Sequence, residues 1–408
     1  MPSRIADFTL LSANVGAPDL TREQNSRQRE MLLFTFEYPP VSGGISRLCE
    51  EISGNLKHER IQVNVLTQAR PSSVPPALSE SRVDVRRPFR EWQAFRWLRK
   101  FKRQRAGNEC PTVCGIWYPE GLIACFAGVR PLVILAHGAE LLPPASRWRR
   151  RLWSALQRRV LESANLVIAN SEYTRQFVAR AASKSRVQEI PLAVDVQRFA
   201  PGDREAAKKK LGVEGKRVVC TVARLHPYKG IDIVLHAMAN LTSEERNDVV
   251  YLIVGRGPHE QELKDLAVTL GVTQHIRWLG FVAEEELPEI YHASDLFVLC
   301  TRDAPEQRSV EGFGLVFLEA QSSGVPVVGT NTGGISAAIR DGDGGWLIEQ
   351  DDATALAGIF RKLVREPEVF HAAGTLARQR VLRECTWKSY SQRFSAALQS
   401  VGAISSSL

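Results

Sequence analysis

The stretch SVEGFGLVFLEAQSSGVPVVGT, residues 309–330, decides how the rest of the chain is read. Gly312 and Gly314 suit a strand-to-helix turn, and Gly324 ahead of Val325-Pro326 suits a helix C-terminus. Between them Leu315, Val316, Phe317, Leu318 and Ala320 leave no polar face, so the helix is expected to be buried. Glu319 stands in its middle, where a carboxylate without a hydrogen-bond donor is costly. A bound ligand is one source of such a donor. Glu311 precedes the helix and stands roughly 12 Å from Glu319 at about 1.5 Å rise per residue, too far for an acid/base pair acting on one bond. Two acceptors flanking a helix N-terminus suit the two ends of a long, polar, anionic ligand.

Outward from this stretch, apolar runs alternate with helical stripes twice over. In the first half MLLFTFEY, IQVNVL, VCGIWY, PLVILAHG and NLVIANS read as buried strands, and ISRLCEEISGNL carries Ile45, Leu48, Ile52 and Leu56 on one stripe. In the second half RVVCTVARL, VVYLIVG, IRWLGFV and DLFVLCT are strands. Helices begin near Ile231 and His259, and DATALAGIFRKLV forms another. Near-continuous apolar strands joined by helices indicate parallel sheets covered on both faces. The expected fold is α/β: two Rossmann-like, doubly wound domains in tandem. The polar stretch PLAVDVQRFAPGDREA marks the boundary. Residues 1–30 read as an extension, 31–197 and 198–385 as the two domains, and 68–82 as an exposed loop.

The 408 residues suffice for two sizeable cores. The longest apolar run, GLIACFAGVRPLVILA, is broken by Arg130-Pro131, which argues against a spanning helix. The first 30 residues lack a signal-peptide core, which favours the cytosol. Seven cysteines, with Cys110 and Cys114 unmatched by a second pair, read as reduced thiols. The net charge of +8 is uneven: residues 1–200 carry +12 and the remainder −4, so the halves are expected to meet different partners.

In doubly wound sheets ligands bind beyond the carboxyl ends of the strands. In EYPPVSGG, Gly43 and Gly44 lead into a helix whose first N–H groups suit phosphate; a plain glycine turn reads the same way. In ARLHPYKG, Arg224 closes a strand and Lys229 follows. Two fixed cations there suit a diphosphate leaving group; two solvated surface cations are the alternative. AHGAE places His137 at another strand end, where a lone histidine is more often structural. The aspartates of DGDGGWLI, Asp341 and Asp343, read as turn chemistry rather than metal ligands, and no metal is expected.

At these residues the chain resembles GT-B glycosyltransferases of family 4, over about residues 31–395. The most specific element is E-x(7)-E, EGFGLVFLE. PPVSGG, HGAE, IPLAVDVQRF and ARLHPYKG follow the family's order, and VEGFGLVFLEAQ with HGAE most resembles the phosphatidylinositol mannosyltransferase-like branch. The resemblance implies retaining, metal-independent transfer from a nucleotide diphosphate sugar bound mainly by the C-terminal domain, with GDP-mannose or a UDP-sugar as donor. It implies that Glu319 accepts from the ribose hydroxyls and Glu311 holds the donor sugar. Backbone amides of Phe313, Gly314 and Leu315 meet sugar or phosphate, and Arg224 and Lys229 bind the diphosphate. Gly44 approaches from the other domain, His137 sits by the reacting carbon, and Gly255, Phe281 and Val282 flank the base. The C-terminal helix, 386–408, crosses back onto the first domain. One departure is Ser336-Ala337, where the family often has Pro-Glu.

Two stretches bear on the acceptor. Residues 86–105 hold nine Lys/Arg and one Glu among Phe89, Trp92, Phe95, Trp97 and Phe101. In 147–159, Trp148, Leu152, Trp153 and Leu156 share a face, with Arg147, Arg150, Arg151 and Arg158 opposite. Such aromatic–cationic mixtures suit an anionic membrane surface, although a core-facing helix with a solvated basic face gives the same pattern. A lipid or lipid-linked glycan acceptor reached from the cytosol is the expectation. Rivals are a soluble small-molecule acceptor, a sugar-nucleotide epimerase and, more distantly, nucleic-acid binding.

Overall fold

The computed structural model describes residues 29–41, 43–68, 81–105, 110–144, 146–304 and 309–402. The first sheet contains β1 (Arg29–Phe34), β2 (Ile61–Gln68), β3 (Ser81–Val85), β4 (Thr112–Cys114), β5 (Leu132–Ala136), β6 (Leu166–Ala169) and β7 (Val187–Glu189). The second contains β8 (Arg217–Val222), β9 (Val249–Val254), β10 (Ile276–Gly280), β11 (Leu296–Leu299), β12 (Val327–Thr330) and β13 (Gly345–Ile348). Every pairing is parallel, in the orders β3-β2-β1-β4-β5-β6-β7 and β10-β9-β8-β11-β12-β13. The central strands β5 and β9 are buried at every position because helices cover both faces. Strand order reverses between β1 and β4 in one sheet and between β8 and β11 in the other, and each reversal opens a crevice at the carboxyl ends.

The expected strands are present, and two short edge strands that periodicity does not reveal join them. β3 occupies 81–85, so residues 81 and 82 are strand and not loop, and Gln68 ends β2. Arg29 and Glu30 open β1 and are strand, not extension; residues 69–80 lie outside the described residues, as do 1–28. β7 has three residues, all half-buried. VCGIWY is strand only through Cys114; Trp117–Gly121 is a π-type turn.

The polar-looking stretch between the sheets is an apolar crossing. Ile190, Leu192, Val194 and Phe199 are buried in a cluster that runs from Met31, Leu33 and Leu48 on the first sheet side to Phe297, Phe317 and Leu318 on the second. Val194 bridges to Thr386, and the Val194 N–H donates to the Cys385 carbonyl at 2.9 Å. From there the helix Trp387–Ser400, capped by Thr386, packs Tyr390, Phe394 and Leu398 into the same cluster as Leu48 and Ile52 of the helix Gly44–Asn55 and Leu56 just after it. Phe394→Ala should therefore cost about 3–5 kcal/mol in chemical denaturation, against under about 0.5 for the exposed Lys388→Ala. Equal effects would remove this helix from the core.

Candidate functional site

The second sheet's crevice is built by three loops laced together through backbone. The Ala223 N–H donates to Val254, Leu225 to Arg256, His259 to Leu225 and Gly255 to Gly280, all at 2.7–3.1 Å. Gly255 has φ 129° and a Cβ there would lie 1.9 Å from the Ala223 carbonyl oxygen, so no side chain fits. This lacing leaves Arg224 exposed, Phe281 74% exposed and Val282 half-buried at one rim. Beyond Arg224 the turn Pro227–Lys229 delivers the Lys229 ammonium to Glu311, Nζ to Oε2 2.6 Å, with the Tyr228 ring 5.0 Å from the nitrogen. Burial pulls the Lys229 pKa down, but the Glu311 carboxylate, with Tyr228, outweighs it and the net shift is upward. Lys229 is thus a fixed cation at any working pH.

The stretch from Glu311 onward brings the second sheet against the first. Gly312 is buried so closely that a Cβ would lie 1.6 Å from the His137 carbonyl oxygen, and its own carbonyl accepts from Ser171 Oγ at 2.8 Å. His137 is held at the end of β5: its N–H donates to Glu140 Oε1 at 2.7 Å. Its Nε2 lies 2.8 Å from the Gly115 carbonyl. A carbonyl only accepts, so Nε2 carries the proton and Nδ1 is the remaining ring atom. Phe313 is buried, Gly314 takes φ 90°, and the helix Leu315–Ser322 starts with Leu315 half-buried and no side-chain cap. Lys229, Glu311, Gly312 and His137 therefore meet at one place between the sheets. Tyr173 adds a further crossing contact, its hydroxyl donating to Asp303 Oδ2 at 3.0 Å.

Glu319 is 3% exposed, and the protein itself supplies its donors. Arg47 Nη1 lies 2.7 Å from Oε1 and the Tyr291 hydroxyl 2.9 Å from Oε2. Arg47 sits one turn into the helix that begins at Gly44, after Gly43 at φ 153°. Gly44 itself meets open space. The glycine turn thus serves to aim a helix that carries Arg47 across to the other sheet. Phe199 completes the unit, 5.5 Å beneath the Arg47 guanidinium and 5.8 Å from the Tyr291 ring. Sequence reading missed Arg47 and Tyr291 because neither stands in a motif; the unexplained burial of Glu319 was the one signal that such partners exist.

Asp341 Oδ1 accepts from the Leu347 N–H at 3.0 Å and Asp343 lies 3.5 Å from Arg340, between glycines with φ 76° and 89°. These aspartates close a turn. All seven cysteines are free thiols.

The first sheet's crevice has its own feature. A cavity of about 370 Å³ lies against Phe36, Glu37, Gln68, Arg87, Arg90 and Glu120. Glu120 is 1% exposed; Oε1 accepts from the Phe36 N–H at 2.8 Å, while Oε2 is buried with no hydrogen-bond partner. Burial pushes its pKa up to about 7.

Two parallel α/β sheets whose facing crevices hold a lysine–glutamate pair and a histidine have the build of GT-B transferases. Sucrose-phosphate synthase of Thermosynechococcus elongatus superposes with a TM-score of 0.73 at 18% identity, over 92% of this chain and 99% of that one. Anabaena HepE in complex with UDP superposes with a TM-score of 0.73 at 20% identity, over 91% and 100%. The sequence profile of Glycosyltransferase Family 4 matches residues 42–198, and that of Glycosyl transferases group 1 matches 203–380. A GDP-mannose-dependent alpha-(1-6)-phosphatidylinositol monomannoside mannosyltransferase of Mycolicibacterium smegmatis is 30% identical, over 90% of this chain and 98% of the relative. A D-inositol 3-phosphate glycosyltransferase of Geodermatophilus obscurus is 30% identical over 89% and 87%. The chain belongs to this glycosyltransferase family, and it is a transferase that uses a nucleotide sugar.

Two outcomes follow from the buried carboxyls. Arg47→Met leaves Glu319 with Tyr291 alone and should cost about 3 kcal/mol in urea unfolding, while Arg47→Met/Glu319→Gln should regain most of it; equal losses would sink the pairing. For Glu120 the folded state retains a proton that the unfolded chain releases above about 4.5. Stability from this group therefore falls as pH rises from about 4.5 through 7. Glu120→Gln should be more stable than wild type at pH 8 and level with it at pH 4.

Proposed function

We propose that the chain is a retaining, metal-independent hexosyltransferase that moves mannose from GDP-mannose to a hydroxyl of a phosphoinositol-type acceptor carried by a lipid. The observation that carries this reading is the meeting of Lys229, Glu311 and Gly312 with His137, in a chain that aligns with a phosphatidylinositol monomannoside mannosyltransferase along nearly its whole length. The same reading divides the chain into residues 31–197 for the acceptor and 198–385 for the donor, with the C-terminal helix joined to the first.

The proposed chemistry uses fixed charge. Lys229, cationic throughout, and the exposed Arg224 neutralise the diphosphate as the glycosidic bond breaks, at the amides that open the helix Leu315–Ser322. Glu311, held by Lys229, orients the sugar hydroxyls instead of attacking the sugar carbon. The acceptor oxygen attacks from the face the diphosphate leaves, its proton passes to the departing phosphate oxygen, and configuration is retained. His137, ring fixed by Gly115, flanks the reacting carbon. A carboxylate offers about four lone-pair positions, so Glu319 can take ribose hydroxyls beside Arg47 and Tyr291. Gly255, Phe281 and Val282 line the base.

A membrane surface for the first half is supported by what its helices expose. Phe89, Trp92, Phe126, Trp148 and Leu152 are 57–72% exposed. The Arg96 guanidinium lies 4.6 Å from the Trp92 ring, and Arg150 and Arg151 face solvent. Large aromatics left bare beside arginines favour an anionic lipid surface over a solvated helix face. Among the described residues no helix is long and apolar enough to cross a membrane, so contact would be peripheral, on the cytoplasmic face.

Thermal shift with GDP, UDP, ADP and their sugars tests the donor. A nucleotide at about 100 times its Kd should stabilise by about 2.7 kcal/mol. Guanine nucleotides alone are expected to protect, with protection lost in Glu319→Ala; a uridine-only response would overturn the donor assignment. Lys229→Ala should lower kcat by about 10²–10³, and product NMR should show the α-anomer retained. Trp92→Ala/Trp148→Ala should release the protein from anionic vesicles without changing nucleotide affinity; persistent binding would move the anchor elsewhere.

A further inference from the structure

The first sheet's crevice holds a group that the reading so far leaves unused. It opens between β1 and β4, where the strand order reverses, and a ligand-sized cavity lies there. Ile116, which also lines the cavity, follows Gly115, whose carbonyl holds the His137 ring, so the cavity lies one loop away from His137.

Glu120 is the anomaly of this cavity. Capping the Phe36 N–H takes one oxygen, Oε1, and an amide side chain would serve equally without the cost of desolvating an ionisable group. The second oxygen, Oε2, is buried and unpartnered, and a buried acceptor left unsatisfied is costly. Glu37 faces the same space. Cations line the same cavity: Arg90 lies 4.4 Å from the Phe36 ring, with Nη1 on Gln68 Oε1 at 2.6 Å and Nε on Glu91 Oε1 at 2.8 Å, and the exposed Arg87 lies three residues earlier. Carboxyl and guanidinium groups lining one cavity suit a molecule that carries both hydroxyls and an anionic group.

We propose that Glu120 is the acceptor-recognition residue of this transferase: Oε2 accepts a hydrogen bond from a ring hydroxyl of a phosphorylated polyol whose phosphate lies against Arg87 and Arg90. The inference rests on the transferase reading above, in which the donor occupies the second sheet and leaves the first for the acceptor. Glu120 lies outside the E-x(7)-E and HGAE motifs. With Glu37 and Arg90 the only charged side chains besides Arg87 lining this cavity among the described residues, the ionised form makes the stronger bond to a hydroxyl. Acceptor affinity should accordingly weaken as pH falls through about 7.

The test compares wild type, Glu120→Gln and Arg90→Gln with GDP-mannose as donor and three acceptor probes: D-inositol 3-phosphate, unphosphorylated inositol, and phosphatidylinositol in mixed micelles. GDP affinity is measured in parallel by calorimetry. Glu120→Gln should raise the acceptor KM at least 10-fold, leave GDP affinity within twofold, and abolish the change in KM across pH 6–8. Arg90→Gln should raise KM for the phosphorylated probes and not for inositol. Turnover confined to phosphatidylinositol identifies a lipid headgroup as the source of the phosphate; turnover of D-inositol 3-phosphate identifies the free ester. An unchanged acceptor KM in Glu120→Gln overturns the assignment and leaves Glu120 as a cap for Phe36. Wild type that binds GDP but uses none of the probes overturns the acceptor class. Wild type that binds no nucleotide at all overturns the transferase reading, and the inference falls with it.

Discussion

The structure depends on one buried charge. Glu319 stands in a helix with no polar face, where a carboxylate without donors would destabilise the fold by several kcal/mol. The chain meets this with Arg47 from the first sheet's opening helix and Tyr291 from the second sheet's own helix, one donor for each oxygen. Burial lowers the Arg47 pKa, but the attraction of Glu319, with the Glu284 and Glu51 carboxylates adding to it, outweighs that and the net shift is upward, so the guanidinium stays charged. Two consequences follow from the same bond. It orients the helix whose N-terminus faces the crevice, and it ties the two sheets together. Any ligand that competes for Glu319 therefore acts on the relation between the sheets, because the carboxylate cannot change partners without affecting Arg47.

A second constraint is steric. At Gly312 the two halves approach so closely that a single methyl group would overlap the His137 carbonyl, and Gly334 is pressed in turn against the Gly312 carbonyl, 1.9 Å from where its Cβ would be. Absence of side chains here lets a loop of the second sheet lie backbone-to-backbone on a loop of the first. The Lys229–Glu311 pair then lands beside His137 without either needing a long reach. The site's geometry comes from glycine-permitted contact, and its charge from residues that each sheet fixes locally.

Much of this was legible in the residues and some could not be. Long apolar strands, the Gly-Phe-Gly turn and the burial of Glu319 follow from periodicity and composition. β3 and β7 are short edge strands, and three half-buried residues such as Val187–Glu189 carry no period to read. Arg47 was not legible as Glu319's partner because the two are separated by 272 positions and meet only once both sheets are formed. Glu120 was hidden differently. It follows a proline in a turn, where a glutamate normally faces water, and only packing against Phe36 turns it into a buried acid. The stretch Pro191–Ala206 lies between the two sheets, at the boundary its composition marks, but its polar residues hide its packing: they flank Leu192, Val194 and Phe199, which form the apolar crossing between the halves.

The charge asymmetry of the chain gains a structural meaning from where the cations lie. In the second half several are tied to carboxylates: Lys208 and Arg204 both hold Asp295, which is 3% exposed, Arg302 holds Asp232 and Asp351, and Lys229 holds Glu311, while Arg224 stays exposed at the crevice. Such pairs set local geometry and leave little field at the surface. In the first half the excess sits on the helices Arg90–Gln104 and Arg147–Ser163, where Arg96 and Arg99 lie over the rings of Trp92 and Phe95. A half in which part of the cationic charge is fixed by carboxylates suits a small anion bound at fixed donors. A half whose cations remain outward suits an extended anionic surface reached over many weak contacts. On the proposed function, the +12 and −4 halves would meet two kinds of partner, one held in the crevice and one met across a face.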